Sequence, residues 1–244
     1  MASMTALLTL LATCLSGAAM PVQASDEVDR SPNWYYPQWL AEAPYTPEFR
    51  VRDTENKYGR YAEQTKTITL KDLIKFHGHF CGGLVEGATA LRVAFDHLFP
   101  DGIIDRTDLR IASKVSACGG DVGAYLTGAR TRYGSYLLDK KLGASEYIVQ
   151  RLSTGRTVRV SINAATYPTE VRKQMKKIQS GDFSPADIDL FQKLQWDYAR
   201  RLVNRPAEKS VDIVDGKDYV WPSPPCRDFG KRTDNNYKDV PKTQ

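Results

Sequence analysis

Two histidines and one cysteine lie within five consecutive residues of this chain, in the segment His77-Gly78-His79-Phe80-Cys81. Imidazole nitrogens and thiolates are the donors of protein-bound zinc, and iron and copper also accept them. Positions i, i+2 and i+4 diverge on a helix, but they project to one side of an extended segment. The spacing therefore predicts an extended segment that aims the donors of His77, His79 and Cys81 at one metal ion.

Glycines flank this segment on both sides. Gly78 allows a sharp departure from a preceding helix, and Gly82 with Gly83 allows a tight turn into a following one. Cys81 is then predicted just before a helix N-terminus, where the dipole and free N–H groups favour the thiolate. Because the thiolate both binds metals and attacks electrophiles, Cys81 is a candidate ligand and a candidate catalytic residue.

A second cysteine, Cys118, follows a predicted apolar strand and precedes a predicted helix. Side chains at such a strand end line pockets, so Cys118 is a candidate for the same site. The alternative in an oxidising compartment is a disulfide between Cys81 and Cys118. That alternative leaves the two neighbouring histidines unexplained. The third histidine, His97, is predicted to be a surface or capping residue.

The elements that position these residues follow from hydrophobic periodicity and turn signals. Helices are predicted over 70–76, 83–99, 121–127, 166–179 and 185–203, and strands over 67–69, 109–117, 146–152 and 157–162. Thr69 and Asp72 resemble a capping pair at the start of the first helix. Together the elements predict an α+β fold, with helices packed on an antiparallel or mixed sheet.

The ends of the chain differ from its centre. Residues 1–24 carry no charged side chain and contain an apolar run, which predicts a signal peptide cleaved before Ser25 and a periplasmic or secreted protein. Lipidation at Cys14 is the alternative. Residues 25–64, rich in Trp, Tyr and Pro, are predicted to form an extended arm on a main domain at 65–205. Residues 206–244 are predicted to form an extended C-terminal tail.

Composition excludes several classes of protein. The 244 residues are 41% hydrophobic, which suits one main domain. The 34 Lys and Arg residues are interspersed with 29 Asp and Glu residues, so the net charge of +5 does not predict nucleic-acid binding. After residue 24 no stretch approaches the ~20 apolar residues of a membrane span, so no integral span is predicted.

Residues 76–83 resemble the signature of the FmdE-like family, which takes its name from formylmethanofuran dehydrogenase. The signature is a His-Gly-His-x-Cys-Pro-Gly loop that opens a helix, and Gly82 stands where it has proline. A second family block, a Cys with an Asp three residues later and then Thr-Gly, is matched by Cys118, Asp121 and Thr127-Gly128. Tyr133-Gly134-Ser135 and Asp139 match a later block loosely. The resemblance covers residues 70–177.

The resemblance implies an α+β domain similar to the catalytic-domain fold of glyceraldehyde-3-phosphate dehydrogenase. It implies a small metal-binding protein, with a homodimer or a redox-partner protein as expected partners. His77, His79, Cys81 and Cys118 are the candidate ligands, and Asp121 is a ligand or a partner of one. The expected cofactor is a divalent transition metal, zinc in the first place and iron or copper as alternatives.

Three functions remain open from the sequence. The first is an exported metal-binding protein, with redox or hydrolytic chemistry where the metal keeps an open position. The second is a thiol- or metal-dependent oxidoreductase, or an accessory protein of one, that uses Cys81. The third is a binding module that uses the aromatic arm. The sequence has no Cys-x-x-Cys pair, which argues against thioredoxin-like proteins and c-type cytochromes.

Overall fold

The computed structural model describes residues 35–56, 59–222 and 237–241. Within these residues the chain forms six α-helices, eight strands and two short 3-10 helices. The predicted signal peptide, Cys14 and Cys226 lie outside the described residues. None of the described helices is long and apolar enough to cross a membrane.

The elements alternate irregularly along the chain. The helices are α1 (Gln38–Ala41), α2 (Leu70–His77), α3 (Gly82–Leu98), α4 (Ala117–Thr127), α5 (Thr169–Gln179) and α6 (Pro185–Val203). The strands are β1 (Glu48–Arg52), β2 (Lys66–Thr69), β3 (Ile104–Asp105), β4 (Leu109–Ser113), β5 (Tyr136–Leu138), β6 (Glu146–Arg151), β7 (Thr157–Ile162) and β8 (Val211–Asp215).

The strands form two mixed sheets. A three-stranded sheet has the order β2-β1-β3, in which β1 is antiparallel to β2 and parallel to β3. A five-stranded sheet has the order β5-β4-β6-β7-β8, antiparallel except for the parallel pair β4 and β5. The predicted α+β class is confirmed. The similarity to the glyceraldehyde-3-phosphate dehydrogenase fold stays a prediction of the resemblance.

Helix α3 is the centre of the molecule. It contacts α2, α4 and α6 as well as β6, β7 and β8, and most of its residues are buried. Apolar residues at three- and four-residue intervals, the pattern behind the predicted helix, account for this burial, since the core includes Leu84, Ala88, Leu91, Phe95 and Leu98. The burial of α3 fixes the position of its first turn. The segment 77–81, which carries the candidate ligands, leads directly into that turn.

Several predicted elements are confirmed. Thr69 and Asp72 form a capping box at the start of α2, with Asp72 Oδ2 accepting from the Thr69 backbone N–H at 2.9 Å. The hairpin of β6 and β7 and the helix α6 appear where the sequence predicts them. His97 is exposed on α3 and pairs with Arg156, as expected for a surface histidine.

The prediction around Cys118 is wrong in one respect. The strand expected over 109–117 ends at Ser113, and α4 begins at Ala117 rather than at Asp121. Gly119 and Gly120, expected in a loop, therefore lie inside the helix. A local cap starts the helix, since Ser116 accepts from Gly119 N, and glycine is needed at position 119 because a Cβ there would lie 2.8 Å from the Tyr147 hydroxyl.

Regular structure also occurs in the segments predicted as arm and tail. Strand β1 lies in the arm and contributes Phe49 and Val51 to the core. Trp39 of α1 packs against that core. Strand β8 lies in the tail, and its whole length pairs with β7 at the edge of the five-stranded sheet.

Candidate metal centre

The site segment forms a helix-turn-helix junction. Helix α2 ends at His77, and Gly78 then adopts a left-handed conformation with φ 99°, which a residue with a Cβ adopts only with strain. The chain continues through His79 and Phe80 to Cys81, which has an extended backbone and is the N-cap residue of α3. The turn that the sequence predicts at Gly78 is therefore present.

This junction brings the predicted donors together. One ligand atom each from His77, His79 and Cys81 lies within 4.8 Å of the others. The two imidazole rings are 4.5 Å apart between centroids. His79 is exposed whereas Cys81 is buried, so the group has a solvent side and a protein side.

Cys118 reaches the same place from the first turn of α4. Its Sγ lies 3.1 Å from Cys81 Sγ, although 37 residues separate the two in sequence. Both cysteines carry free sulfur atoms in this structure. The sulfur–sulfur distance exceeds the ~2.05 Å of a disulfide bond, so the expected juxtaposition is present without the bond.

Glycines allow the two helices to approach this closely. A Cβ at Gly83 would lie 3.0 Å from Cys118 Cβ and 3.2 Å from its sulfur, and one at Gly87 would lie 3.4 Å from Val122. Any larger residue at Gly83 would displace Cys118. The close packing of α3 on α4 therefore sets the position of Cys118 relative to Cys81.

Asp121 contacts the histidine, one turn after Cys118 on α4. Its Oδ2 accepts from His77 Nδ1 at 2.7 Å. The His77 side chain is 5% exposed, and its other nitrogen, Nε2, is buried without a hydrogen-bond partner among the described residues. With Nδ1–H donated to Asp121, Nε2 keeps a free lone pair. Metal-binding histidines show this arrangement, in which a carboxylate fixes the tautomer and the ring orientation.

The two thiols influence each other strongly. A hydrogen bond from Cys81 and the neighbouring His77 lower the pKa of Cys118 to about 6. The same hydrogen bond, together with burial, raises the pKa of Cys81. Both directions favour the proton on Cys81 and the negative charge on Cys118. A cation bound at this point would favour both thiolates.

Behind the sulfurs lies a buried carboxyl group that the sequence patterns did not single out. Glu86, on α3, is 6% exposed, and burial, with a smaller contribution from the Cys118 charge, raises its pKa to about 7. Tyr147, Tyr167 and Tyr198 lie close enough to experience its charge. The signal in the sequence is one acidic residue within the otherwise apolar or small stretch 82–91 of α3.

Aromatic side chains cover the other flank of the segment. The Phe80 ring lies 5.8 Å from Trp39 and 5.6 Å from Trp196 between centroids. Trp39 belongs to the segment that was predicted as an arm on the main domain, and Arg200 stacks on its ring. Two surface cavities, of about 380 and 460 Å³, lie beside β8. Neither of these cavities is lined by a candidate ligand.

Three further positions of the family blocks have local structural surroundings. Thr127 and Gly128 end α4, where Gly128 adopts a left-handed conformation. Asp139 accepts from the backbone N–H of Lys141 and from the Tyr219 hydroxyl. These contacts give Thr127, Gly128 and Asp139 structural roles in the described part of the chain.

Comparison with known proteins agrees with the motif. A search of curated proteins finds no match. The sequence profile of a family described as "FmdE, Molybdenum formylmethanofuran dehydrogenase operon" matches residues 76–212. The match spans more than half of the chain, and it begins directly before His77 and includes Cys118 and Asp121. The chain therefore belongs to this FmdE family.

Proposed function

We propose that this protein binds one divalent transition-metal ion through His77, His79, Cys81 and Cys118, with Asp121 holding His77 in position. The observation that carries the proposal is His77 Nε2. A buried nitrogen without a hydrogen bond costs free energy, and the group beside it consists of a second imidazole and two sulfurs. A metal ion would satisfy all of these groups at once.

The donor set favours zinc. Two imidazoles and two thiolates form a tetrahedral set that zinc occupies in many proteins, with iron or copper as alternatives for the same donors. Four protein ligands fill a tetrahedral zinc site, so Lewis-acid chemistry at a bound zinc ion would require the exposed His79 to give way to a substrate. Hydrolytic chemistry by that route, or redox chemistry with iron or copper in place of zinc, is the finer part of the proposal.

Elemental analysis of the purified, untagged protein tests the metal site. We expect about one zinc per chain for the wild type, and loss of the metal in His79→Ala and in Cys81→Ala. His97→Ala is the matched control, because His97 is exposed and bonds to Arg156 outside the donor group. Far-UV circular dichroism should be unchanged in all variants, since a domain with a core of this size does not depend on metal alone.

Each result has a distinct meaning. Wild-type metal content in both His79→Ala and Cys81→Ala would contradict the proposal. Metal loss in His97→Ala would show that the assay reports general damage. Metal loss with global unfolding would make the metal structural and remove the basis for chemistry at Cys81.

A thiol-dependent oxidoreductase, or an accessory protein of one, is the second candidate function. The short distance between Cys81 and Cys118 and the lowered pKa of Cys118 favour it. Cys81 is buried and Cys118 is half-buried, so the accessible nucleophile of such an enzyme would be Cys118. Catalytic reduction of a disulfide substrate by a metal-free wild type would favour this candidate over the first.

Export and assembly complete the proposal. The uncharged leader at 1–24 supports cleavage before Ser25 and a periplasmic or secreted location, which N-terminal sequencing of the protein from cell fractions tests. The domain limits at 25, 65 and 206 stay predictions. A homodimer or a redox-partner protein is expected from the resemblance, and light scattering after size-exclusion chromatography tests the homodimer.

A further inference from the structure

The two sulfurs of the candidate site stand at a distance between two bonded arrangements. Two thiolates on one tetrahedral zinc, each ~2.3 Å from the ion, lie about 3.8 Å apart. Two sulfurs in a disulfide lie ~2.05 Å apart. The observed 3.1 Å requires a shift of about 1 Å or less to reach either arrangement. A shift of the sulfurs by about 0.7 Å therefore allows metal binding, and one of about 1 Å allows a disulfide.

We propose that Cys81 and Cys118 form a reversible disulfide under oxidation by a small-molecule disulfide, and that this bond and the bound metal exclude each other. The metal-release half of this proposal rests on the proposed metal site, whereas the disulfide half does not. Closure removes both thiolate donors. His77 and His79 alone would then hold the ion much more weakly, so it dissociates.

The exchange has two steps. One cysteine thiolate attacks a sulfur of the oxidant, the sulfur–sulfur bond of the oxidant breaks, and one thiol leaves with a proton from solvent. The second cysteine, as a thiolate, attacks the protein sulfur of this mixed disulfide, and the second thiol leaves in the same way. Two electrons pass from the two cysteines to the oxidant, and the Cys81–Cys118 bond remains.

The burial of the two residues gives the order of attack. Cys118 is half-buried at the start of α4, whereas Cys81 is buried between α2 and α3. A small-molecule disulfide therefore reaches Cys118 first. Cys81, 3.1 Å away, then resolves the mixed disulfide without a large rearrangement of the helices.

The test uses the full chain with Cys14→Ser and Cys226→Ser, so that Cys81 and Cys118 are the two remaining cysteines. Zinc-loaded and zinc-free samples are treated with 4,4′-dithiodipyridine, and released zinc is measured with a chromogenic chelator. Intact-mass and peptide mass spectrometry identify the disulfide. We expect one disulfide per chain, release of one zinc per disulfide, and recovery of zinc binding after reduction with dithiothreitol.

Two single variants test the order. In Cys81→Ser, Cys118 should keep the mixed disulfide, because the resolving thiol is missing. In Cys118→Ser, modification of Cys81 should be at least about tenfold slower, because that sulfur is buried. Faster modification of Cys81 than of Cys118 would contradict the order.

Three results would overturn the inference itself. They are a zinc-free chain that forms no Cys81–Cys118 bond, zinc that stays bound after the bond forms, and zinc release without the bond. A reduced wild type that binds no zinc would instead contradict the proposed function, while disulfide formation in that protein remains measurable by mass.

Discussion

Two carboxyl groups of this protein are buried to the same extent, but their surroundings differ. Asp108 and Glu86 are each 6% exposed. Asp108, just before β4, accepts from Arg151 Nε at 3.2 Å and from the backbone N–H of Ser153 at 2.8 Å. Arg151 in turn donates to Leu98 O and stacks on Phe99. Every charge in this cluster has a partner within the chain.

Polar groups around the candidate site do not all have such partners. Glu86 has a hydrogen bond with Ser145 but forms no ion pair with a cation in the described part of the chain, His77 Nε2 has no hydrogen bond there, and the two cysteine sulfurs lie 3.1 Å apart. A polar cluster that satisfies itself stabilises a fold, whereas a cluster with unmet polar groups has a cost that a ligand can remove. The difference predicts that a change at Asp108 lowers the stability and leaves zinc binding unchanged. Changes near the candidate site should instead raise the stability, at Glu86, or lower the zinc affinity, at Asp121.

The largest expected effect is on Asp108. Asp108→Ala leaves Arg151 without its anion. We expect a loss of about 3 kcal/mol in the free energy of unfolding, which is the low end of the range for a buried ion pair, because Arg151 is partly exposed. Urea unfolding of the metal-free protein measures this. Zinc stoichiometry should not change. Asp96→Ala, at an exposed i,i+4 ion pair, is the control and should cost less than about 0.5 kcal/mol. Loss of zinc without loss of stability in Asp108→Ala would contradict the separation of the Asp108 cluster from the metal site.

A change at Glu86 should raise the free energy of unfolding at neutral and higher pH, whereas the change at Asp108 lowers it. Its pKa is raised by burial to about 7, so its contribution to stability is fully present below pH ~4.5 and is lost as the pH rises through 7. Glu86→Gln removes this loss. We expect the metal-free variant to be about 2 kcal/mol more stable than wild type at pH 8, with little difference at pH 4.5. Urea unfolding curves with the same pH slope in both proteins would contradict this account.

Asp121 should affect metal affinity more than stability. Its hydrogen bond fixes the orientation of the His77 ring, and removal of such a partner typically costs 10- to 100-fold in metal affinity. Because Asp121 is 41% exposed, we expect Asp121→Asn to lie near the lower limit, at about tenfold. Competition with a chromogenic chelator measures the affinity. Asp139→Asn is the control and should leave zinc affinity unchanged, because the hydrogen-bond partners of Asp139 are not candidate ligands.

The smallest effect concerns the glycine contact between α3 and α4. Gly83→Ala places a methyl group 3.0 Å from Cys118 Cβ, so we expect a loss of about 1 kcal/mol in unfolding free energy and a several-fold loss in zinc affinity. Gly120→Ala is the matched control. Its methyl group would meet only the Tyr136 hydroxyl at 3.9 Å, so that variant should be as stable as wild type or slightly more stable. Equal behaviour of the two variants would contradict the assigned role of Gly83.

The sequence predicts those parts of the site that depend on local chemistry. Gly78 and the Thr69 cap define the ends of α2, and the apolar stripe of α3 buries the helix that begins at Cys81. The meeting of Cys118 with Cys81 was expected from a strand end, but Cys118 lies in the first turn of α4 instead. Residues 37 positions apart have no local signal that joins them, so the order of the family blocks is the remaining indication in the sequence.

Other parts depend on tertiary contacts that local patterns do not contain. A glycine pair in sequence predicts a loop, but Gly119 lies within α4, where the Tyr147 hydroxyl leaves no room for a side chain. Strand β8 has a largely exposed edge, so its burial gives no alternating pattern, and only pairing with β7 defines it. Glu86 becomes notable only once α3 is known to be buried on several sides.

X-ray absorption spectroscopy at the zinc K-edge of the reduced, zinc-loaded protein reads the ligands of the metal site themselves. We expect two sulfur neighbours at ~2.3 Å and two nitrogen neighbours at ~2.0 to 2.1 Å. Cys118→Ala should lose one of the two sulfurs, and His97→Ala should leave the spectrum unchanged. A first coordination shell of oxygen and nitrogen without sulfur would contradict the assignment of Cys81 and Cys118 as ligands.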